Sequence, residues 1–245
     1  MIKTLLLAFS FLTTFPVQIK GTIKPEDLGK SAAWFPFIGI LIGFIAAGAK
    51  YLFDMVFPTL ISATLTVAIW AYLSGGLHLD GLADCCDGLF VAAKKERRLE
   101  ILKDSRLGSF GAIGLIIYLI LKIMAVASPH QPWSLIPFVL AGCISRWLII
   151  LVAHHPSARP GGMADMFAIG LRSSTYLFGA LLPVLLSMSS GITGIIALGF
   201  AHLTTVVILL LARSRIGGIT GDVLGFIVET GELAVLLTFT ATFSF

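Results

Sequence analysis

Charge is scarce in this sequence. Only 12% of its 245 residues are Asp, Glu, Lys or Arg, against about a quarter in a soluble domain. That shortage excludes a water-soluble globule with a charged shell. The net charge is also small, +4, which speaks against nucleic acid; in a membrane protein such an excess reports topology and an anionic lipid or substrate. Cysteine is nearly missing: Cys85, Cys86 and Cys143 stand without a CxxC pair, so no disulfide framework can be read. The adjacent Cys85 and Cys86 read as small helix fillers rather than a redox pair. No linker, low-complexity tract or internal repeat divides the chain, so one domain is expected over residues 1–245. The opening MIKTLLLAFSFLTTFPV has the apolar run of a signal peptide but lacks an A-x-A cleavage site. A retained, short interfacial or partly inserted helix is expected there, ending at Phe15-Pro16.

What the chain has is apolar length. It is 57% hydrophobic, with mean hydropathy +0.98. A membrane helix needs about 20 apolar residues, and candidate spans lie at 34–57, 59–77, 110–127, 133–153, 175–188, 192–212 and 223–245. The fifth is short and contains Pro183, so it is broken or extends backwards. Seven spans are expected, with six the alternative, in an all-α polytopic protein. The basic residues are one-sided. Lys3, Lys20, Lys24 and Lys30 precede the first span; Lys94, Lys95, Arg97, Arg98, Lys103 and Arg106 lie between the second and third. Arg159 and Arg172 follow the fourth, and Arg213 and Arg215 follow the sixth. The alternate turns, FPTL, SPHQPW and SMSSG, carry no Lys or Arg. The polar loops are therefore expected on the cytoplasmic side, with the N-terminus inside and the C-terminus outside. Within the spans, Lys50 and Asp54 at i,i+4 are expected to pair or snorkel, Lys122 to snorkel outward, and His202 to bond a neighbouring helix. Arg146 is expected to face inward, as a salt-bridge partner or a substrate contact.

The polar residues that remain are concentrated. GGLHLDGLADCCDGLF (75–90) sets Asp80, Asp84 and Asp87 within about a 60° arc if helical. Three carboxylates on one stripe repel one another, and a hard divalent cation removes the conflict. Mg²⁺ typically combines carboxylates with substrate phosphate oxygens. The bland alternative is a solvated loop with capping aspartates. His78 falls on the opposite side of the helix and reads as a packing or hydrogen-bonding residue. In ERRLEILKDSRLGSFG (96–111), Arg98, Lys103 and Arg106 make a basic face suited to phosphate, and Asp104 precedes Arg106 in a polar turn. In RIGGITGDVLGFIVETGE (215–232), a Gly-rich turn opens a helix whose N-terminus could cradle an anion. There Asp222 is an N-cap or a site residue, and Asp222, Glu229 and Glu232 share roughly an 80° arc. Arg159, in HHPSARPGGMAD, is a candidate phosphate contact. Together these point to phosphoryl transfer from a diphosphate donor to a hydroxyl, assisted by metal. Asp87 is the candidate base and Asp84 the second catalytic candidate; Asp80, Asp84 and Asp87 are the candidate Mg²⁺ ligands. The candidate substrate contacts are Arg98, Asp104, Arg106, Arg146, Arg159, Asp222, Glu229 and Glu232.

GGLHLDGLADCCDGLF closely resembles the signature of the cobalamin synthase (adenosylcobinamide-GDP ribazoletransferase) family. LEILKDSRLGSFG (99–111), GGITGDVLGFIVETGEL (217–233), FPFIG (35–39) and FLTTFP (11–16) are similar to that family as well. The resemblance implies transfer of the adenosylcobinamide-phosphate group from adenosylcobinamide-GDP to α-ribazole or its 5′-phosphate, releasing GMP. It also implies Mg²⁺, a bacterial cytoplasmic (inner) membrane location, and the lipid bilayer and other cobalamin pathway enzymes as partners. Three rivals stand beside it. A CDP-alcohol phosphotransferase would need D-x2-DG-x2-AR-x8-G-x3-D-x3-D, which this sequence does not complete. An intramembrane prenyltransferase would use two Asp-rich motifs, and a cation transporter would use intramembrane acids.

Overall fold

A computed structural model describes residues 2–19, 21–128, 135–159 and 161–241. Lys20, most of the SPHQPW turn and the last four residues of the expected final span lie outside the described residues. The chain is all α-helix, with no strand among the described residues. In order the helices are α1 (Ile2–Leu12), α2 (Pro25–Ser31), α3 (Phe35–Asp54), α4 (Thr59–Leu73), α5 (Leu77–Phe90) and α6 (Lys95–Ile101). They continue with α7 (Ser109–Ala127), α8 (Ile136–Val152), α9 (Met163–Gly170), α10 (Ser173–Ser189), α11 (Gly191–Ile216) and α12 (Gly221–Thr240).

Four helical segments are long and apolar enough to cross a membrane, or up to six when each of two bent pairs counts as one span. The remaining expected span, the fourth at 133–153, corresponds to α8, whose 17 residues sit at the short limit for a bilayer. The first bent pair is the sequence's Gly75-Gly76. Both residues have positive φ, 64° and 70°, a conformation that glycine adopts without steric cost. The chain therefore turns by 93° between α4 and α5. The acidic motif therefore does not continue α4 along its axis; α5 turns away across its end. The second pair, α9 and α10, bends by 102°. The expected fifth span indeed extends backwards, to Ser173, with Pro183 inside an unbroken helix.

α12 and α8 form the centre. α8 is buried along nearly its whole length and crosses α3 where Gly39 and Gly142 meet backbone to backbone. α12 packs against α5, α7, α8 and α11. Its start is fixed by Thr220, whose Oγ1 accepts from Val223 N at 3.3 Å. Thr220, not Asp222, is thus the N-cap, which leaves the Asp222 carboxylate for other work. Just ahead of it, Gly217 (φ +82°) ends α11. Ile219 then exchanges backbone bonds with the loop after α8: Ile219 N donates to Pro156 O (3.0 Å) and Ala158 N to Ile219 O (2.8 Å). This short pairing brings Arg159 to the head of α12.

Three intramembrane expectations resolve differently. Lys50 pairs with Asp54 (2.7 Å to Oδ1) as expected. Lys122 does not snorkel. It is 3% exposed and turns inward, because Glu229 and Glu232 of α12 offer it two carboxylates in the interior. His202 bonds Leu198 O of its own helix (2.6 Å) rather than a neighbour; what it offers α8 is a ring edge against Trp147, at 4.8 Å.

Candidate active site

Two distant stretches converge at the charged end of the bundle. α5 crosses the first turn of α12 so closely that a Cβ on Gly81 would stand 2.8 Å from Asp222 O. The glycine between Asp80 and Asp84 thus lets the second acidic motif dock on the first. Asp80 and Asp222 line one pocket, and Asp84 lies within the field of both. Burial, then Asp80, Asp222 and Asp87 in that order, push the Asp84 carboxyl up to about 7. Like charges gathered this way repel one another, and a cation joining them would relieve the repulsion. The nearby cation in the fold is Arg159, whose Nη1 is 3.7 Å from Asp222 Oδ2. Its Nη2 donates to Leu99 O (3.0 Å), while its buried Nε has no partner, so the guanidinium keeps donor capacity for an anion.

Asp87 lies on the expected stripe but is differently employed. Its Oδ2 accepts from Gly108 N (2.7 Å) and its Oδ1 from Gly111 N (2.9 Å). It caps the start of α7, where free amides and the helix dipole both favour a carboxylate. Glycine at 108 and 111 is what allows the approach, since a Cβ on either would collide with the Asp87 carboxylate. Asp87→Ala is expected to lower stability by about 1–2 kcal/mol, the cost of a lost cap, read as a drop in melting temperature of purified protein. An unchanged melting temperature would contradict the capping role.

The other sequence candidates separate into three places. Arg98 is 3% exposed and closes the end of α5, donating to Gly88 O (3.1 Å), Leu89 O (2.6 Å) and Ala93 O (2.8 Å); its guanidinium is spent on backbone carbonyls. Asp104 and Arg106 pair with each other on the exposed turn before α7, and Arg106 holds Asp104 down at about 2. Arg146, Glu229 and Glu232 are buried away from the acidic cluster. From Asp222, Glu229 and Glu232 lie roughly 10 and 15 Å along the helix, at 1.5 Å per residue. Glu232 meets Arg146, Lys122 and Trp70 Nε1, and Glu229 meets Tyr118 and Lys122. The shared arc on α12 is real, but length along the axis divides it into a site end and an interior end.

Beside Asp80 and Asp222 the pocket has an apolar side that sequence reasoning missed. Phe11 of α1, Ile149 of α8, Phe167 of α9 and Leu224 of α12 line it. FLTTFP was visible as a motif, but nothing in it said that Phe11 would reach the acids. His78 also lines the pocket, is buried, and has no partner for Nε2.

Among the described residues, no three His, Cys, Asp or Glu side chains are arranged as a ready metal cage. The carboxylates suit the other mode, in which one or two of them hold Mg²⁺ and phosphate oxygens complete the shell.

Comparison with known proteins identifies the family. The family model described as cobalamin-5-phosphate synthase matches residues 4–240. The chain is 34% identical to the adenosylcobinamide-GDP ribazoletransferase of Geotalea daltonii, over 98% of each chain. It is 36% identical to that of Desulfitobacterium hafniense (96% of this chain, 95% of the relative). With that of Syntrophobacter fumaroxidans it shares 37% identity over 94% of each. No solved structure matches. On a match that runs through every helix from α1 to α12, the chain belongs to the cobalamin-5-phosphate synthase family.

Proposed function

We propose that this protein transfers the adenosylcobinamide-phosphate group of adenosylcobinamide-GDP to a ribose hydroxyl of α-ribazole or its 5′-phosphate, releasing GMP. The observation that carries the reading is the meeting of Asp80, Asp84 and Asp222 around Gly81, with Arg159 beside them. Family membership over the whole chain supports it and disfavours the lipid, prenyl and transport readings.

Asp80 and Asp222 would hold Mg²⁺, which when bound neutralises charge on the diphosphate. Arg159 orients the same diphosphate from the side, through its free Nε and its Nη1 near Asp222. Asp84, one turn along α5 from Asp80 and less exposed than it, takes the proton from the attacking hydroxyl. Asp87, with each oxygen already accepting from a backbone amide, holds the α6–α7 turn against α5 and so keeps the stripe in place. The charged end carries the basic loops, so the site faces the cytoplasm from the inner membrane of a bacterium.

The test is GMP release by purified protein supplied with Mg²⁺, adenosylcobinamide-GDP and α-ribazole. GMP is expected only with both substrates, with loss on chelation and return on adding Mg²⁺. Release of inorganic diphosphate instead, or turnover indifferent to chelator, would overturn the assignment.

A further inference from the structure

Arg213 and Arg215 stand exposed in the last turn of α11, whose end is closed by Gly217 N donating to Arg213 O (3.1 Å). Against that end comes α6. A Cβ on Gly217 would collide with the Lys95 ammonium, and Arg98, one turn further along α6, lies in the field of Arg215. Lys94 is exposed at the head of the same helix. Among the described residues no carboxylate pairs with Lys94, Lys95, Arg213 or Arg215. Glu100 of α6 is already taken by Arg97, at 2.8 Å. Elsewhere Lys3, Lys50 and Arg106 each meet a carboxylate within 2.6 Å.

Topology accounts for the side of the membrane on which these cations lie; it does not account for their gathering. The dipole of α11 favours Arg213 and Arg215 at its C-terminus, but Lys95 is the first residue of α6, where a helix dipole disfavours a cation. Like charges drawn together from two helices call for an anion that the fold does not supply. The surface above them is apolar. Leu203, Val206, Leu210 and Arg213 share an arc of about 80° on α11, and the three apolar residues are 59%, 49% and 59% exposed. An open apolar stripe thus runs down α11 to a cationic corner. A soluble phosphate or nucleotide has nothing to lay along that stripe, and a neutral phospholipid would leave the corner uncompensated. An anionic phospholipid satisfies both, with an acyl chain on the stripe and its phosphate among the cations.

We propose that the corner between α6 and the end of α11 is a binding site for an anionic phospholipid of the leaflet on the charged side. The site goes beyond the transfer reaction and bears on it through one turn. Two residues after Gly217, Ile219 makes the pairing with Pro156 and Ala158 that brings Arg159 to the head of α12. A headgroup held by Lys95, Arg213 and Arg215 steadies that turn, so the bound lipid raises turnover.

The experiment uses full-length protein and two readouts: lipid retention by native mass spectrometry, and GMP release in nanodiscs of phosphatidylcholine with or without phosphatidylglycerol. Wild-type protein is expected to retain phosphatidylglycerol in preference to phosphatidylcholine, and to turn over faster in the mixed bilayer. Lys95→Gln/Arg213→Gln/Arg215→Gln should weaken phosphatidylglycerol retention by about tenfold and lose the difference between bilayers. In pure phosphatidylcholine it should match the wild type, which also shows that it is folded. Lys24→Gln/Lys30→Gln/Arg172→Gln removes the same charge elsewhere on that side and should behave as the wild type does. Retention indifferent to the corner variant, or lowered as much by the control, would overturn the site. A corner variant whose KM for adenosylcobinamide-GDP rises in both bilayers would give the corner to the donor instead. Retention that follows the corner, with wild-type turnover equal in both bilayers, would keep the lipid and overturn its hold on the turn. Retention does not need the transfer reaction, so protein that releases no GMP still tests the site.

Discussion

Asp84→Asn protein is expected to fold and to insert into membranes, and to release GMP at no more than about a thousandth of the wild-type rate, within the range for removing a positioned general base. The side chain keeps its shape, so packing of α5 against α12 is undisturbed. What disappears is the proton acceptor and one charge in a crowded cluster. Because Asp80 and Asp222 remain, donor binding should keep its Mg²⁺ dependence in this variant. Asp80→Asn should behave otherwise, with a higher Mg²⁺ concentration needed for half-maximal rate. Titration of GMP release against Mg²⁺ separates the two. Near-wild-type turnover by Asp84→Asn would remove Asp84 from the chemistry, and a shared Mg²⁺ shift would make it a ligand instead.

Much of this site could be read from residue order alone, because its chemistry is local. Three aspartates at i, i+4 and i+7 declare their common face on any helix, and Gly81 beside them signals close approach. The all-α membrane architecture was equally plain, since apolar runs of bilayer length have few other uses. What residue order could not show is which partner claims each polar group. Asp87 belongs to the stripe by angle, yet the two amides at the start of α7 take its oxygens. Arg98 looked like phosphate recognition because a guanidinium suits phosphate, but carbonyls at the end of α5 suit it too and lie nearer. Glu229 and Glu232 share an arc with Asp222, and only the helix axis separates them from it. Lys122 could have reached outward; the carboxylates that draw it inward are more than a hundred residues away. Periodicity reports the face of a helix, and tertiary contact decides who meets it there.

The second large effect is on stability, and it comes from those interior charges. Lys122 and Arg146 face Glu229 and Glu232, with Trp70 and Tyr118 donating to the carboxylates, so α4, α7, α8 and α12 meet at one neutral knot. A buried knot of this kind adds little net stability, because desolvation offsets the attraction, but breaking it leaves a charge stranded. Glu232→Leu is therefore expected to cost about 3–5 kcal/mol, since Arg146 loses its carboxylate and Lys122 keeps only Glu229. Removing Arg146 and Glu232 together leaves Lys122 with Glu229, a balanced pair. Arg146→Met/Glu232→Leu should then be more stable than Glu232→Leu alone, in detergent unfolding monitored by circular dichroism. GMP release should recover with folding in the double variant, because neither residue reaches the carboxylates at the charged end. A double variant that folds but makes no GMP would move Arg146 and Glu232 from scaffold to substrate contact. One no more stable than the single would show that the knot contributes more than the balance of its charges.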